Sequence, residues 1–242
     1  MNANIIETDS LTKGTGSQMR VNHIDLRIPE GCVYGFLGPN GAGKTTTLKL
    51  LLGLLKPTAG TITIFGQKMT DKNRLSIMKH TGSLIESPSF YGHLTGLENL
   101  QIVAKLKKVP ASEITNVLKT VRLYEQRDKK VKQYSLGMKQ RLGIAMALLG
   151  NPRVLILDEP TNGLDPAGIQ EIREFIKELP IIRQMTVLVS SHLLSEMEQM
   201  ADMVGIINHG RLIFQGTLAS LESQGDSLED AFLKLTGGGE SL

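Results

Sequence analysis

Apolar positions fall in two rhythms along this chain, short runs or period-two alternations and longer stretches of helical period, and the two take turns. Ile5 to Asp9 and Val21 to Ile28 read as strands, the second with Ile24, Leu26 and Ile28 on one face. Between them, Thr12-Lys13-Gly14-Thr15-Gly16-Ser17 has the composition of a turn-rich loop. Cys32 to Leu37 predicts a buried strand and Thr45 to Leu55 a helix. The turn Pro57-Thr58-Ala59-Gly60 leads into a β-branched strand from Thr61 to Phe65, and Thr81 to Ile85 is one more short strand.

From Ser87 to Gly150 the helical rhythm dominates. Leu97 to Leu106, Ile114 to Leu123 and Leu136 to Leu149 are the expected helices, the last with Leu142, Ala145, Met146 and Leu149 on one stripe. The fully apolar run Val154-Leu155-Ile156-Leu157 predicts a strand at the centre of a parallel sheet. A helix from Gly168 to Leu179, a strand from Thr186 to Val189 and a helix from Leu193 to Met200 follow, then strands Met203 to Ile207 and Leu212 to Phe214. Strands alternating with helices imply parallel crossovers. Ser227 opens a last helix with Leu228, Ala231, Phe232 and Leu235 on its apolar face. No internal repeat is visible. The pattern predicts an α/β core over 5–86 and 151–216, a helical lobe inserted at 87–150, a C-terminal helical segment at 217–236 and a flexible tail at 237–242.

Composition removes several alternatives. The 242 residues are 40% hydrophobic, enough for a sizeable core, and the net charge is only +3. Arg127-Asp128-Lys129-Lys130 reads as a solvated helix end, and 4% aromatics without Trp offer no platform for stacked bases, so no nucleic-acid partner is expected. The single cysteine, Cys32, excludes an internal disulfide and suits a core position in a reducing compartment. No apolar run reaches the roughly 18 residues of a membrane span. Met1 to Glu7 lacks the features of a signal peptide, so a cytoplasmic location is expected.

Chemistry enters with Gly38-Pro39-Asn40-Gly41-Ala42-Gly43-Lys44-Thr45, which fits the G-x-x-x-x-G-K-[ST] phosphate loop. Gly41 and Gly43 let the backbone curl until successive N–H groups share one concavity, and the following helix turns its positive end to the same place. Lys44 supplies a fixed charge for the β- and γ-phosphates, and the Thr45 hydroxyl can bind Mg2+. Asp158-Glu159 closes the apolar strand, where ligands bind in open α/β sheets. Asp158 can hold Mg2+ opposite Thr45, and Glu159 can accept a proton from water attacking the γ-phosphate. Ser135, ahead of Leu136-Gly137-Met138-Lys139-Gln140-Arg141, is a good N-cap for its helix.

Taken in order, these features resemble the ATP-binding cassette of ABC transporters over about residues 5–233. They comprise the phosphate loop, the helical lobe, the Ser-x-Gly helix start, the strand ending in Asp158-Glu159, then Gly163-Leu164-Asp165, and a lone His192 after Ser190-Ser191. The resemblance implies a P-loop NTPase fold, a RecA-like, mostly parallel α/β core with an antiparallel β subdomain and an inserted helical subdomain. It implies that Gly38 to Thr46, including Pro39, Asn40, Ala42 and Thr46, forms the Walker A motif and Val154 to Glu159 the Walker B motif. Ser135 and Gly137 would contact the γ-phosphate held by a second cassette, Asp165 would lie at that seam, and His192 would face the γ-phosphate. Two ATP molecules with Mg2+ would then sit between two cassettes, expected to be identical. Separate transmembrane permease subunits would hold the pair at the cytoplasmic face of a bacterial membrane.

Three positions depart from the family pattern. Leu136 and Met138 replace a Gly and a Gln of the signature, while Ser135 and Gly137 remain. Thr15 stands where an aromatic usually stacks on adenine. Glu86, in Leu84-Ile85-Glu86-Ser87-Pro88, stands where the family has Gln; a carboxylate only accepts and adds a charge, so it would act on catalysis and on Mg2+. With the Ser-Leu-Gly-Met-Lys-Gln-Arg run and the tail from Ser227, Glu86 makes the chain resemble the bacitracin-resistance and lantibiotic-immunity branch. That branch implies export of cationic peptide antibiotics, with bacitracin or another amphiphile as the alternative cargo. A soluble regulatory cassette would usually be duplicated or carry a coiled-coil insertion. A GTPase would carry an Asn-Lys-x-Asp motif, which is absent.

Overall fold

The computed structural model describes residues 3–16, 18–86, 89–223 and 227–236. The expected tail at 237–242, the Ser87-Pro88 pair and the side chains of Thr15 and Leu228 lie outside the described residues. The chain begins with β1 (Asn4–Thr15), β2 (Gln18–Ile24), β3 (Arg27–Pro29), β4 (Val33–Leu37), α1 (Lys44–Leu51), β5 (Ala59–Ile64), β6 (Gln67–Lys68), α2 (Arg74–Met78) and β7 (Thr81–Leu84). Three long helices follow, α3 (Gly96–Lys107), α4 (Ala111–Thr120) and α5 (Leu136–Leu148). The remainder is β8 (Val154–Asp158), α6 (Pro166–Arg183), β9 (Thr186–Ser191), α7 (Leu194–Met200), β10 (Met203–Asn208), β11 (Arg211–Thr217), α8 (Leu218–Glu222) and α9 (Leu228–Thr236).

The strands form two sheets. One has the order β11-β10-β4-β9-β8-β7 and is parallel throughout except for the β10–β11 edge. β4, β8 and β9 are central and almost wholly buried, which explains their unbroken apolar sequences. The other sheet is antiparallel, with β1 pairing β2, β3 and β5, and β6 beyond β5. One apolar core fills the space between the sheets, around Ile6, Leu26, Phe36, Leu48 and Ile156. A second joins the parallel sheet to the helices, around Leu118, Leu142, Leu155, Ile176 and Val189.

Polar side chains decided where the sequence pattern misread the β region. The expected strand Val21 to Ile28 is two, β2 and β3, both laid on β1. The buried Thr8 hydroxyl fills the break, donating to the Ile24 carbonyl (2.7 Å) and accepting from the Leu26 N–H (2.8 Å). Most of the expected loop Thr12 to Ser17 is strand, since β1 runs to Thr15. Thr12 is buried there and its hydroxyl accepts from the His23 N–H at 3.2 Å. In the helices, α6 continues past Leu179 through Pro180 to Arg183, whose guanidinium donates to Thr120 Oγ1 at 2.9 Å. The expected single stripe on α5 is instead burial around most of the helix, Gly143, Ile144 and Ala147 included. It packs against α3, α4, α6 and β7 at once. Sequence reasoning missed β6 and α2, both short, and covered α8 only as part of the helical segment expected at 217–236.

Helices α3 to α5 lie in sequence between β7 and β8, which are hydrogen-bonded neighbours. Two polar devices fix them. Asn99, buried on α3, accepts from the Tyr91 N–H at 3.0 Å and donates to the carbonyls of Tyr91 (3.2 Å) and Thr95 (2.8 Å), pinning the segment that leads from Glu86. Lys107 donates to the carbonyls of Met146, Ala147 and Leu149 (3.0, 3.3 and 2.9 Å) and so closes the C-terminal end of α5. Loss of these charge-assisted bonds costs about 2 kcal/mol. Lys107→Met should therefore lower Tm by about 4–8 °C, read by calorimetry; an unchanged Tm would mean that water replaces the ammonium without cost.

Candidate functional site

β4 delivers the chain to the phosphate loop, and α1 starts at Lys44 with Gly43 as its N-cap at φ +111°. No side chain caps that helix start, so its first N–H groups face the loop's concavity. Glycine is required twice here. A Cβ at Gly43 would lie 2.4 Å from the Arg20 carbonyl oxygen, and one at Gly38 2.2 Å from that of Ile207. Lys44 is 5% exposed and donates to the carbonyls of Gly38 (2.7 Å) and Pro39 (3.3 Å). Its ammonium is also 3.4 Å from Glu159 Oε1.

Three loops meet at this point. Thr45 Oγ1 donates to Asp158 Oδ2 at 2.7 Å. The other Asp158 oxygen accepts from Ser190 Oγ at 2.5 Å, and that same hydroxyl accepts from the Glu159 N–H at 3.0 Å. Glu159 adopts φ +46°, a conformation rare for a side-chain-bearing residue, and the bond to Ser190 helps to hold it there. His192 Nδ1 lies 3.3 Å from Glu159 Oε2, and this buried nitrogen makes no hydrogen bond among the described residues. The structure thus brings Lys44, Thr45, Asp158, Glu159 and His192 together.

Glu86 follows β7 at φ +63° and is largely exposed. Its carboxylate accepts from Lys49 Nζ at 2.6 Å, and the Lys49 ammonium holds the Glu86 carboxyl below the ordinary carboxylate range. Glu86 shares a cleft of about 820 Å3 with Thr45, Asp158 and Glu159, within the usual range for small-molecule sites. The acidic wall of this cleft faces Lys132 and Lys139 from the helical side. Among the described residues no group of three or more His, Cys, Asp or Glu side chains gathers as a metal site. Thr45 and Asp158 are therefore the protein oxygens placed together at the loop, while Glu86 is turned to Lys49.

The remaining expected residues sit at helix starts. Ser135 caps α5, its hydroxyl accepting from the Met138 N–H at 3.2 Å, and Asp165 caps α6, accepting from the Gly168 N–H at 3.1 Å. A Cβ at Gly137 would have Leu164 as its neighbour at 4.0 Å, so that helix start lies beside the turn leading to Asp165. Sequence reasoning missed Ser190, Lys49, Lys132 and Lys139 as site residues. Ser190 was visible only as a flank of His192; its role depends on the β8–β9 register that pairs it with Asp158.

The fold and the site define an ATP-binding cassette, and comparison bears this out: residues 21–162 match the ABC transporter family model. The chain belongs to the ATP-binding proteins of ABC transporters, which are ATPases coupled to transport and work with membrane permeases. Among its relatives is the bacitracin transport ATP-binding protein BcrA of Bacillus licheniformis, 53% identical over 210 residues, 86% of this chain and 68% of that one. Another is the lantibiotic transport ATP-binding protein SrtF of Streptococcus pyogenes, 43% identical over 211 residues, 87% of this chain and 90% of that one. A solved ATP-binding subunit of an ABC transporter superposes with a TM-score of 0.83 at 29% identity, covering 96% of this chain and 99% of its own. Among the described residues no helix is long and apolar enough to cross a membrane.

Proposed function

We propose that this chain is the ATP-hydrolysing subunit of an exporter that removes lantibiotic-type peptide antibiotics from the bacterial membrane. The observation that carries the hydrolytic part is the unbroken set of contacts from Thr45 through Asp158 and Ser190 to Glu159. In this reading Gly38 to Thr46 cradles the phosphates of ATP, with Lys44 moving from the loop carbonyls to the β- and γ-phosphates. The Thr45 hydroxyl and the Asp158 carboxylate are hard oxygen donors of the kind Mg2+ prefers; when bound, the ion offsets charge on the β- and γ-phosphates. Glu159 accepts a proton from the water that attacks the γ-phosphorus. The bond to the β–γ bridging oxygen breaks, leaving ADP and phosphate. His192 faces Glu159 and positions the reacting end.

Closure comes from a second copy of the chain, whose Ser135 hydroxyl and Gly137 helix start meet the γ-phosphate while Asp165 lies at the seam. The helix start is a ready anion site, which supports that role. Permease subunits hold the pair at the cytoplasmic face of the membrane. The cargo rests on likeness to the lantibiotic protein SrtF and, for the second reading, on the 53% identity to the bacitracin protein BcrA. Expression with the cognate permeases, followed by challenge with a lantibiotic and with bacitracin, separates the two; protection against neither would remove the cargo assignment.

Glu86 is placed between nucleotide and permease in this reading. Glu86→Gln should change antibiotic protection severalfold while ATP affinity stays near wild type, and unchanged protection would take Glu86 out of the mechanism. The lowered carboxyl fixes the pH behaviour. The contribution of the Lys49 pair is present above the ordinary value of 4.5 and fades only as pH falls through the lower folded value. Glu86 therefore adds no pH dependence to turnover between about pH 6 and 8.

A further inference from the structure

The sheet order gives the two sides of the phosphate loop different neighbours. On one side of β4 lie β9 and β8, which bring His192, Asp158 and Glu159 to the reacting end of the nucleotide. On the other side lie β10 and the turn into β11, and against that turn lies β2. The Gly210 N–H donates to the Ala42 carbonyl at 2.8 Å, and the Asn22 N–H donates to the Gly210 carbonyl at 2.7 Å. Arg20 belongs to this second wall: its carbonyl oxygen would stand 2.4 Å from a Cβ on Gly43 and 2.9 Å from one on Gly210. A triphosphate whose γ-end points to Glu159 must leave the loop with its ribose and base on the side of β2.

The residues waiting there are uncommon for a strand. Met19 is 53% exposed, and its neighbour Arg20 is exposed as well, so neither face of β2 is covered at this point. The Arg20 guanidinium makes no hydrogen bond or ion pair among the described residues. No Phe, Tyr or Trp occurs anywhere from Asn4 to Ile24, and the single ring there, His23, has its Nδ1 engaged with the Asn22 side chain at 2.7 Å. A guanidinium is planar, weakly hydrated and stacks on π-faces.

We infer that Arg20 is the platform that holds the purine base of the bound nucleotide. The inference rests on the reading of Gly38 to Thr46 as the triphosphate cradle. Its test is titration calorimetry of the full chain with two probes, ATP and inorganic tripolyphosphate, in wild type and Arg20→Ala. Loss of stacking should weaken ATP about 3- to 30-fold and leave tripolyphosphate, which has no base, within about twofold. Tripolyphosphate binding also certifies that the variant is folded. Equal weakening of both probes would make Arg20 a charge acting on phosphate and overturn the inference, as would unchanged ATP affinity. The underlying reading fails differently: a wild-type chain that binds neither probe would sink the cradle itself, and the platform with it.

Discussion

Replacing Glu159 with Gln should cut steady-state ATP turnover by about 10²–10⁴-fold, the span typical of a lost general base. The amide keeps the shape of the side chain, and the backbone bond from the Glu159 N–H to Ser190 is untouched by the change. What disappears is an oxygen basic enough to take a proton from water. Nucleotide binding should survive and tighten, because the variant removes a negative charge that lies 3.4 Å from Lys44 and faces the incoming phosphates. Phosphate release measured beside ATP affinity separates the two effects; full turnover in the variant would place the base elsewhere.

Gly43→Ala should weaken ATP binding by more than about tenfold, for two reasons that add. The φ of +111° is one that a side-chain-bearing residue adopts only at a cost of about 1–3 kcal/mol. The new methyl would also meet the Arg20 carbonyl at 2.4 Å, in a wall fixed by the Asn22–Gly210–Ala42 hydrogen bonds. Gly41→Ala provides the control. Its φ is +81°, yet nothing lies within 4 Å of an added Cβ, so it bears the backbone cost alone and should do less harm. Equal effects from the two substitutions would mean that the contact with β2 does not shape the loop.

Local pattern carried most of the parallel sheet and its helices. The apolar strands β4, β8 and β9 are buried on both faces, so their sequences admit few other placements. The phosphate loop was legible because Gly41 and Gly43 meet local backbone needs at φ +81° and +111°, whereas the close approach of Gly38 to Ile207 depends on strand pairing. The β hairpin was misread because Thr8 and Thr12, polar by type, are buried through hydrogen bonds to residues 11 to 18 positions away. Lys49 escaped notice for a related reason. It sits near Thr45 on α1, but its partner Glu86 comes 37 residues later, and only the packing of β7 beside β8 brings them within 2.6 Å. Ser190 needed the strand register, which hydropathy does not carry.

In the proposed cycle, one chain's phosphate loop and another chain's Ser135 helix enclose the same ATP. Sedimentation of the Glu159→Gln variant with its permease partners, in Mg2+ with ATP and again with ADP, puts it to the test. Crosslinking through single cysteines placed at the seam near Asp165 reports whether the two cassettes meet. The cassette pair should be closed with ATP, open with ADP and lost when Ser135→Arg is added. Cassettes that stay apart with ATP, or a pair indifferent to Ser135→Arg, would contradict it.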